Sequence, residues 1–119
     1  MNKVNLAEKL AMIGGHWTPR IVGELNGQHV NLVKFQGEFV WHDHGDEDEL
    51  FLVLKGGFRM EFRDRSVELT VGAFLIVPKG VEHRPVAIEE VEGMRFEPAA
   101  IQYIGEVDSP MTVRNWERI

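Results

Sequence analysis

Near the start of the chain, apolar residues fall at helical spacing: Leu6, Leu10 and Ile13 share one face. Asn5 is placed to cap this segment and Glu8 to reach back to the cap, while Gly14 and Gly15 end it, so a short packing helix is expected over 5–13. From Ile21 onward the period changes to two. "RIVGEL" and "HVNLVKF" flank Asn26-Gly27, the strongest short hairpin signal. "EFVWHDH" and "DELFLVL" read as further strands, and Gly56-Gly57 as a turn. "FRMEF" then alternates cleanly, with Phe58, Met60 and Phe62 on one face and Arg59 and Glu61 on the other. "SVELTV", "AFLIVP", "HRPVAI", "GMRFEP" and "IQYIG" complete a series of short strands, which predicts an all-β sandwich or barrel.

"ELFLVL" is apolar on both alternating sets, Phe51 and Val53 on one side and Leu50, Leu52 and Leu54 on the other. Such a strand is covered on both faces. The outer leucines therefore need either a second subunit or residues 1–25 folded back over them, and a homodimer is the expectation.

Composition narrows the function. The chain of 119 residues suits one domain, and 44% hydrophobic residues suffice for a packed core. A net charge of −6 with no basic run disfavours nucleic acid as a partner. The absence of cysteine excludes disulfides, thiolate ligands and cysteine nucleophiles. Glu8 and Lys9 interrupt the apolar N-terminal stretch, and no apolar run reaches membrane-spanning length. The expectation is a cytoplasmic protein that neither enters a membrane nor needs one.

The chemistry concentrates at "WHDHGDEDE". His42 and His44 are two apart, so on a strand their imidazoles point the same way. Glu49 follows after a turn's length, and His83 leaves the tight turn at Pro78 and Gly80. A lone His-x-His is a weak signal, and Asp43, Asp46, Glu47 and Asp48 read as a solvated loop. The full spacing is more specific. Gly37, His42, His44, Glu49 and Gly56 resemble the first motif of the cupins, with a four-residue spacer after Gly37 where five is usual. Gly72, Pro78, Gly80 and His83 resemble the second, with Ala87 where asparagine is expected. The chain is similar to a small single-domain bacterial cupin.

That resemblance implies an all-β double-stranded β-helix, or jelly-roll, barrel with one short N-terminal helix. Within a single domain over 1–119, residues 1–20 would form a helical arm, 21–105 the barrel and 106–119 a tail. It implies one divalent transition metal per chain (iron, manganese, nickel, copper, cobalt or zinc) held by His42, His44, Glu49 and His83. Four protein ligands leave two octahedral positions for water, dioxygen or a substrate, the mark of a catalytic site. Metal binding is expected to weaken near pH 6, where free histidine protonates. The implied activity is a metal-dependent dioxygenase or sugar-type isomerase acting on a small polar molecule; the alternative is a non-catalytic metal- or ligand-binding module. No residue beyond the ligands is assigned a catalytic role. Phe51, Val53, Met60 and Phe62 are candidate pocket residues, and Arg95 and Tyr103 are weaker candidates for orienting an anionic substrate. Trp41 has the opposite parity from His42 and should face away from the metal, His16 and His29 read as surface or turn residues, and Trp116 as an anchor for the tail.

Overall fold

The computed structural model describes residues 1–98 and 116–119. The "IQYIG" segment and Tyr103 lie outside the described residues. Helix α1 (Leu6–Ala11) starts where the sequence places it: the Asn5 side chain accepts from the Glu8 backbone N–H at 3.0 Å. Strands β1 (Arg20–Leu25) and β2 (Gln28–Glu38) form the expected hairpin. Its two turn residues, Asn26 and Gly27, both have positive φ, 50° and 75°, as a tight two-residue connection requires. Then come β3 (Glu49–Lys55), β4 (Gly57–Phe62), β5 (Ser66–Thr70), β6 (Phe74–Val77), β7 (His83–Pro98) and the two-residue β8 (Glu117–Arg118).

The all-β class with one short helix stands, but the jelly-roll barrel does not: the sheet is open. Its hydrogen-bonded path runs β5-β4-β7-β2-β1-β8, and β3 pairs with β7 and β6 on a branch. The cause is β7. Its 16 residues keep β2 along one edge, while the other edge serves β4 over residues 83–86 and β3 over residues 92–96. The sheet therefore forks, and among the described residues no pairing joins the outer strands into a ring. Between the two branches Ile88, Glu89 and Glu90 are exposed. Gly56 links β3 to β4 at the fork with φ 79°, and a Cβ there would come within 2.7 Å of the Glu90 carbonyl oxygen.

Two sequence readings change here. "HRPVAI" and "GMRFEP" are one continuous strand, not two. Gly93 lies within β7, and a Cβ there would meet the Phe51 ring at 2.5 Å. "EFVWHDH" is not a regular strand either; beyond Glu38 only His42 forms a ladder-type bridge, to His83.

The core lies between the branches. Phe35, Phe51, Phe58, Met60 and Val91 are buried together, with Phe35 edge-on to both Phe51 and Phe58. A smaller cluster joins α1 to the sheet, where Leu10, Ile13 and Leu32 pack with Leu54 and Met94. Of the three outer leucines, Leu54 is thus met by α1 of its own chain. Leu50 and Leu52 stay half-buried beside Ile76 and Phe74, their partners on β6. No helix among the described residues is long and apolar enough to cross a membrane.

Candidate metal centre

His42, His44, Glu49 and His83 come from three different places in the fold. His83 opens β7 and Glu49 opens β3, so the strand starts fix both. His42 and His44 lie on the irregular segment after β2. That segment is held against the start of β7: the Phe39 N–H donates to the Pro85 carbonyl, His42 and His83 exchange backbone hydrogen bonds, and the Gly80 N–H donates to the His44 carbonyl. Asp48, from the acidic loop, adds a further tie by accepting from the Lys79 N–H at 2.9 Å. Two guanidinium groups, of Arg63 and Arg84, lie 3.9 and 4.8 Å from the ring centre of Trp41.

All four side chains are at most 5% exposed. The ring nitrogens of His42, His44 and His83 include a set lying within 4.8 Å of one another. That spread is close to twice a metal–nitrogen bond of ~2.1 Å, so one ion can reach all three. The tautomers suit this. His42 Nδ1 donates to the Val40 carbonyl at 3.0 Å and His83 Nδ1 to the Val81 carbonyl at 2.8 Å. A carbonyl only accepts, so each Nδ1 carries the proton and each Nε2 keeps its lone pair. The His83 Nε2 is buried with no hydrogen-bond partner, an arrangement that costs free energy unless something else fills the role.

Electrostatics agree with neutral imidazoles. Burial, assisted by His83, lowers the His42 pKa to about 3 against the opposing pull of the Val40 carbonyl. Burial lowers His83 as well, although Glu49 and the Val81 carbonyl oppose it. For Glu49, burial resists ionisation, but Arg95 and then His44 outweigh it and hold the carboxyl well below its usual range. Its Oε2 is 2.8 Å from Arg95 Nη2 and 2.9 Å from His44 Nε2.

A second potential ligand group overlaps the first: His44, Glu49 and Glu97 also bring their ligand atoms within 4.8 Å. Glu97 is fully buried, and Arg95 Nη2 reaches its Oε2 at 2.6 Å. Burial, together with Glu49, pushes the Glu97 carboxyl well above its usual range despite Arg95. Glu97 was not legible as a site residue, and Arg95 was expected on a substrate rather than on a ligand. One signal was available: on β7 both share the parity of His83, the buried one.

The remaining candidates divide. Phe51 and Met60 line the space beside His42 and His83, together with Trp17, Phe35 and Phe39. Val53 belongs to the core, and Phe62 packs against it with its ring 6.4 Å from His83. Trp17, from the segment after α1, stacks on Phe35 and Phe39 with ring centres 4.9 and 4.7 Å away. Trp116 packs against Phe39 as an anchor would. His16 is exposed and bonded to Glu90 at 2.7 Å, while His29 is half-buried.

An all-β fold that buries three convergent histidines and a carboxylate defines a class, and the comparisons agree with it. Residues 29–96 match the Cupin domain family, and the chain belongs to that family. It is 44% identical to a cupin-2 domain containing protein from Shewanella frigidimarina NCIMB 400, over 80% of this chain and 93% of that one, with a TM-score of 0.79. It is 31% identical to protein NMB1881 from Neisseria meningitidis, over 82% of this chain and 100% of that one, with a TM-score of 0.76. Over 64 residues it is 42% identical to the uncharacterized protein YdbB of Bacillus subtilis. That match spans 53% of this chain and 57% of the length of the curated relative.

Proposed function

We propose that the chain binds one divalent transition metal through His42, His44, Glu49 and His83, and that it is a metal-dependent enzyme acting on a small molecule. The observation that carries this reading is the pair of Nδ1–carbonyl hydrogen bonds, which leave the Nε2 atoms of His42 and His83 deprotonated and buried beside His44. The residues present suit iron, manganese, cobalt or another first-row ion, since imidazole and carboxylate accept all of them. When bound, such an ion supplies Lewis-acid polarisation or dioxygen activation. The chain's own contribution is to fix the imidazole tautomers, to anchor Glu49 through Arg95 and to exclude water with an apolar wall.

The wall also favours one chemistry over the other. Beside the histidines it is built of Trp17, Phe35, Phe39, Phe51 and Met60; Glu49 and Arg95 are the charged groups there. Among the described lining residues there is no hydroxyl, amide or lysine to hold the oxygens of a sugar. This supports dioxygenase-type chemistry on a ligand with an apolar body over sugar-type isomerisation of a polar one. A non-catalytic binding module is the second reading, favoured by the absence, among those described lining residues, of an acid or base outside the ligand set and Arg95.

The test is metal analysis of protein purified without added metal, then dioxygen uptake by the iron-loaded form across a panel of small apolar and sugar ligands. Near-stoichiometric metal with ligand-dependent uptake is expected. Metal without turnover on any ligand would favour the binding module, and no metal after loading would refute both.

We further propose a cytoplasmic homodimer. Leu50 and Leu52 share a face with their β6 partners Ile76 and Phe74, which are 50% and 61% exposed. A two-fold contact through this face would cover all four. Sedimentation at micromolar concentration should give about twice 13.6 kDa; a species at 13.6 kDa would refute the dimer.

A further inference from the structure

The second ligand group, His44, Glu49 and Glu97, already holds a cation. The β3–β7 register pairs Leu50 with Phe96 and Phe51 with Arg95, so continuing it by one step sets Glu49 opposite Glu97. Two carboxylates facing each other across a ladder repel, and burial makes the repulsion worse. Arg95 lies between them. A single nitrogen, Nη2, stands 2.8 Å from Glu49 Oε2 and 2.6 Å from Glu97 Oε2. All three residues are at most 4% exposed, and Asn31, the cross-strand partner of Arg95 on β2, is fully buried as well.

We infer that Arg95 is the resident cation of this second group: it holds Glu49 and Glu97 together, presents Glu49 to the three histidines, and limits the chain to one metal. The inference rests on the metal reading proposed above. The guanidinium holds Glu49 Oε2, the same oxygen that stands 2.9 Å from His44 Nε2, and so fixes the carboxylate at the edge of the histidine set. Glu97 keeps Arg95 from following Glu49 when the carboxylate turns toward an ion. The guanidinium fills the position between the two carboxyl groups. Arg95 is thus a positioning residue; its charge does the work that a second metal would otherwise do.

Removing that charge exposes the role. In Arg95→Met, two buried carboxylates and His44 are left facing each other, an oxygen-rich set suited to Mn2+. The experiment titrates wild type, Arg95→Lys, Arg95→Met and the double variant Arg95→Met/Glu97→Leu with Mn2+, reading stoichiometry and thermal stability. Wild type and Arg95→Lys, which keeps a cation, should each take one equivalent. Arg95→Met should take more than one, and saturating Mn2+ should raise its Tm by about 10 °C more than it raises that of wild type. One equivalent in Arg95→Met, with a Tm rise equal to that of wild type, would overturn the inference. If Arg95→Met folds only with Mn2+ present, the inference is supported. If it folds under neither condition, the double variant decides. It should fold, because one carboxylate leaves with the guanidinium, and should bind its single Mn2+ about tenfold more weakly than wild type, as loss of a supporting partner does. Unchanged affinity, or failure of the double variant to fold, would overturn the positioning role. Wild type that takes no Mn2+ would sink the metal reading instead, whereas an Mn2+-dependent Arg95→Met would still support the resident cation.

Discussion

His42→Ala and His83→Ala are each expected to weaken divalent-metal binding by more than about 100-fold, beyond what loss of an outer partner of a metal site costs. Each replacement removes a nitrogen that the backbone has already prepared, since Nδ1 is committed to the Val40 or Val81 carbonyl and Nε2 has the lone pair. The remaining donors cannot close the gap, because Glu49 is tied to Arg95 at 2.8 Å and His44 stands on a segment pinned through the Gly80 N–H. His16→Ala is the control: that ring is exposed, bonds Glu90 and lies outside the metal-competent groups. Competition titration with a chromogenic chelator reads the affinity, and circular dichroism checks that the sheet persists. Both variants binding one equivalent as tightly as His16→Ala would end the assignment.

The residues just discussed were legible because spacing converts directly into position. Glu49 and His83 open strands and His42 and His44 lie on the short segment bridged to His83, where a fixed count of residues sets where a side chain arrives. The hairpin at Asn26-Gly27 and the capped helix were legible for the same reason, each being a local rule obeyed by adjacent residues. What could not be read depends on contacts between distant strands. Nothing within "EFVWHDH" tells that its partners are residues 80–85 and not a neighbouring hairpin strand, so it looked like a strand of its own. Residues 89–92 separated the two expected strands, yet β7 runs on through them; its pairing with β2 slips so that Ile88, Glu89 and Glu90 lie opposite Gln36 alone, a bulge in β7. The fork that keeps the sheet from closing follows from that one long strand. In "MRFEP" the alternation by itself favours Met94 and Phe96 as the core set. The register places Arg95 and Glu97 inside, where the buried guanidinium is tolerable because Glu49 and Glu97 flank it.

Metal-free protein should lose stability steeply as pH falls from 7 to 4.5, and much of that loss should trace to His42. The sign follows from its pKa of about 3 in the folded state against ~6.5 when unfolded. Between those values the unfolded chain binds a proton that the folded chain refuses, so acid favours unfolding. At ~1.4 kcal/mol per pH unit, His42 alone accounts for about 2–3 kcal/mol over that interval. His83, lowered by burial, pulls the same way. Glu49, held below its usual range, adds its loss only at lower pH, as acid approaches the pKa of an ordinary carboxyl. Glu97 opposes all three, because its raised pKa lets the folded state take up a proton first. By the same sign, proton competition with a metal at His42 itself begins below about pH 6. Urea unfolding of the metal-free protein at pH 7 and pH 4.5 makes the comparison, with His42→Phe as the variant, since Phe keeps a ring against Phe39 and removes the titrating group. The variant should lose about 2–3 kcal/mol less than wild type over the interval. Equal losses in the two proteins would mean that His42 is not held neutral by burial, and with that the prepared Nε2 would lose its physical basis.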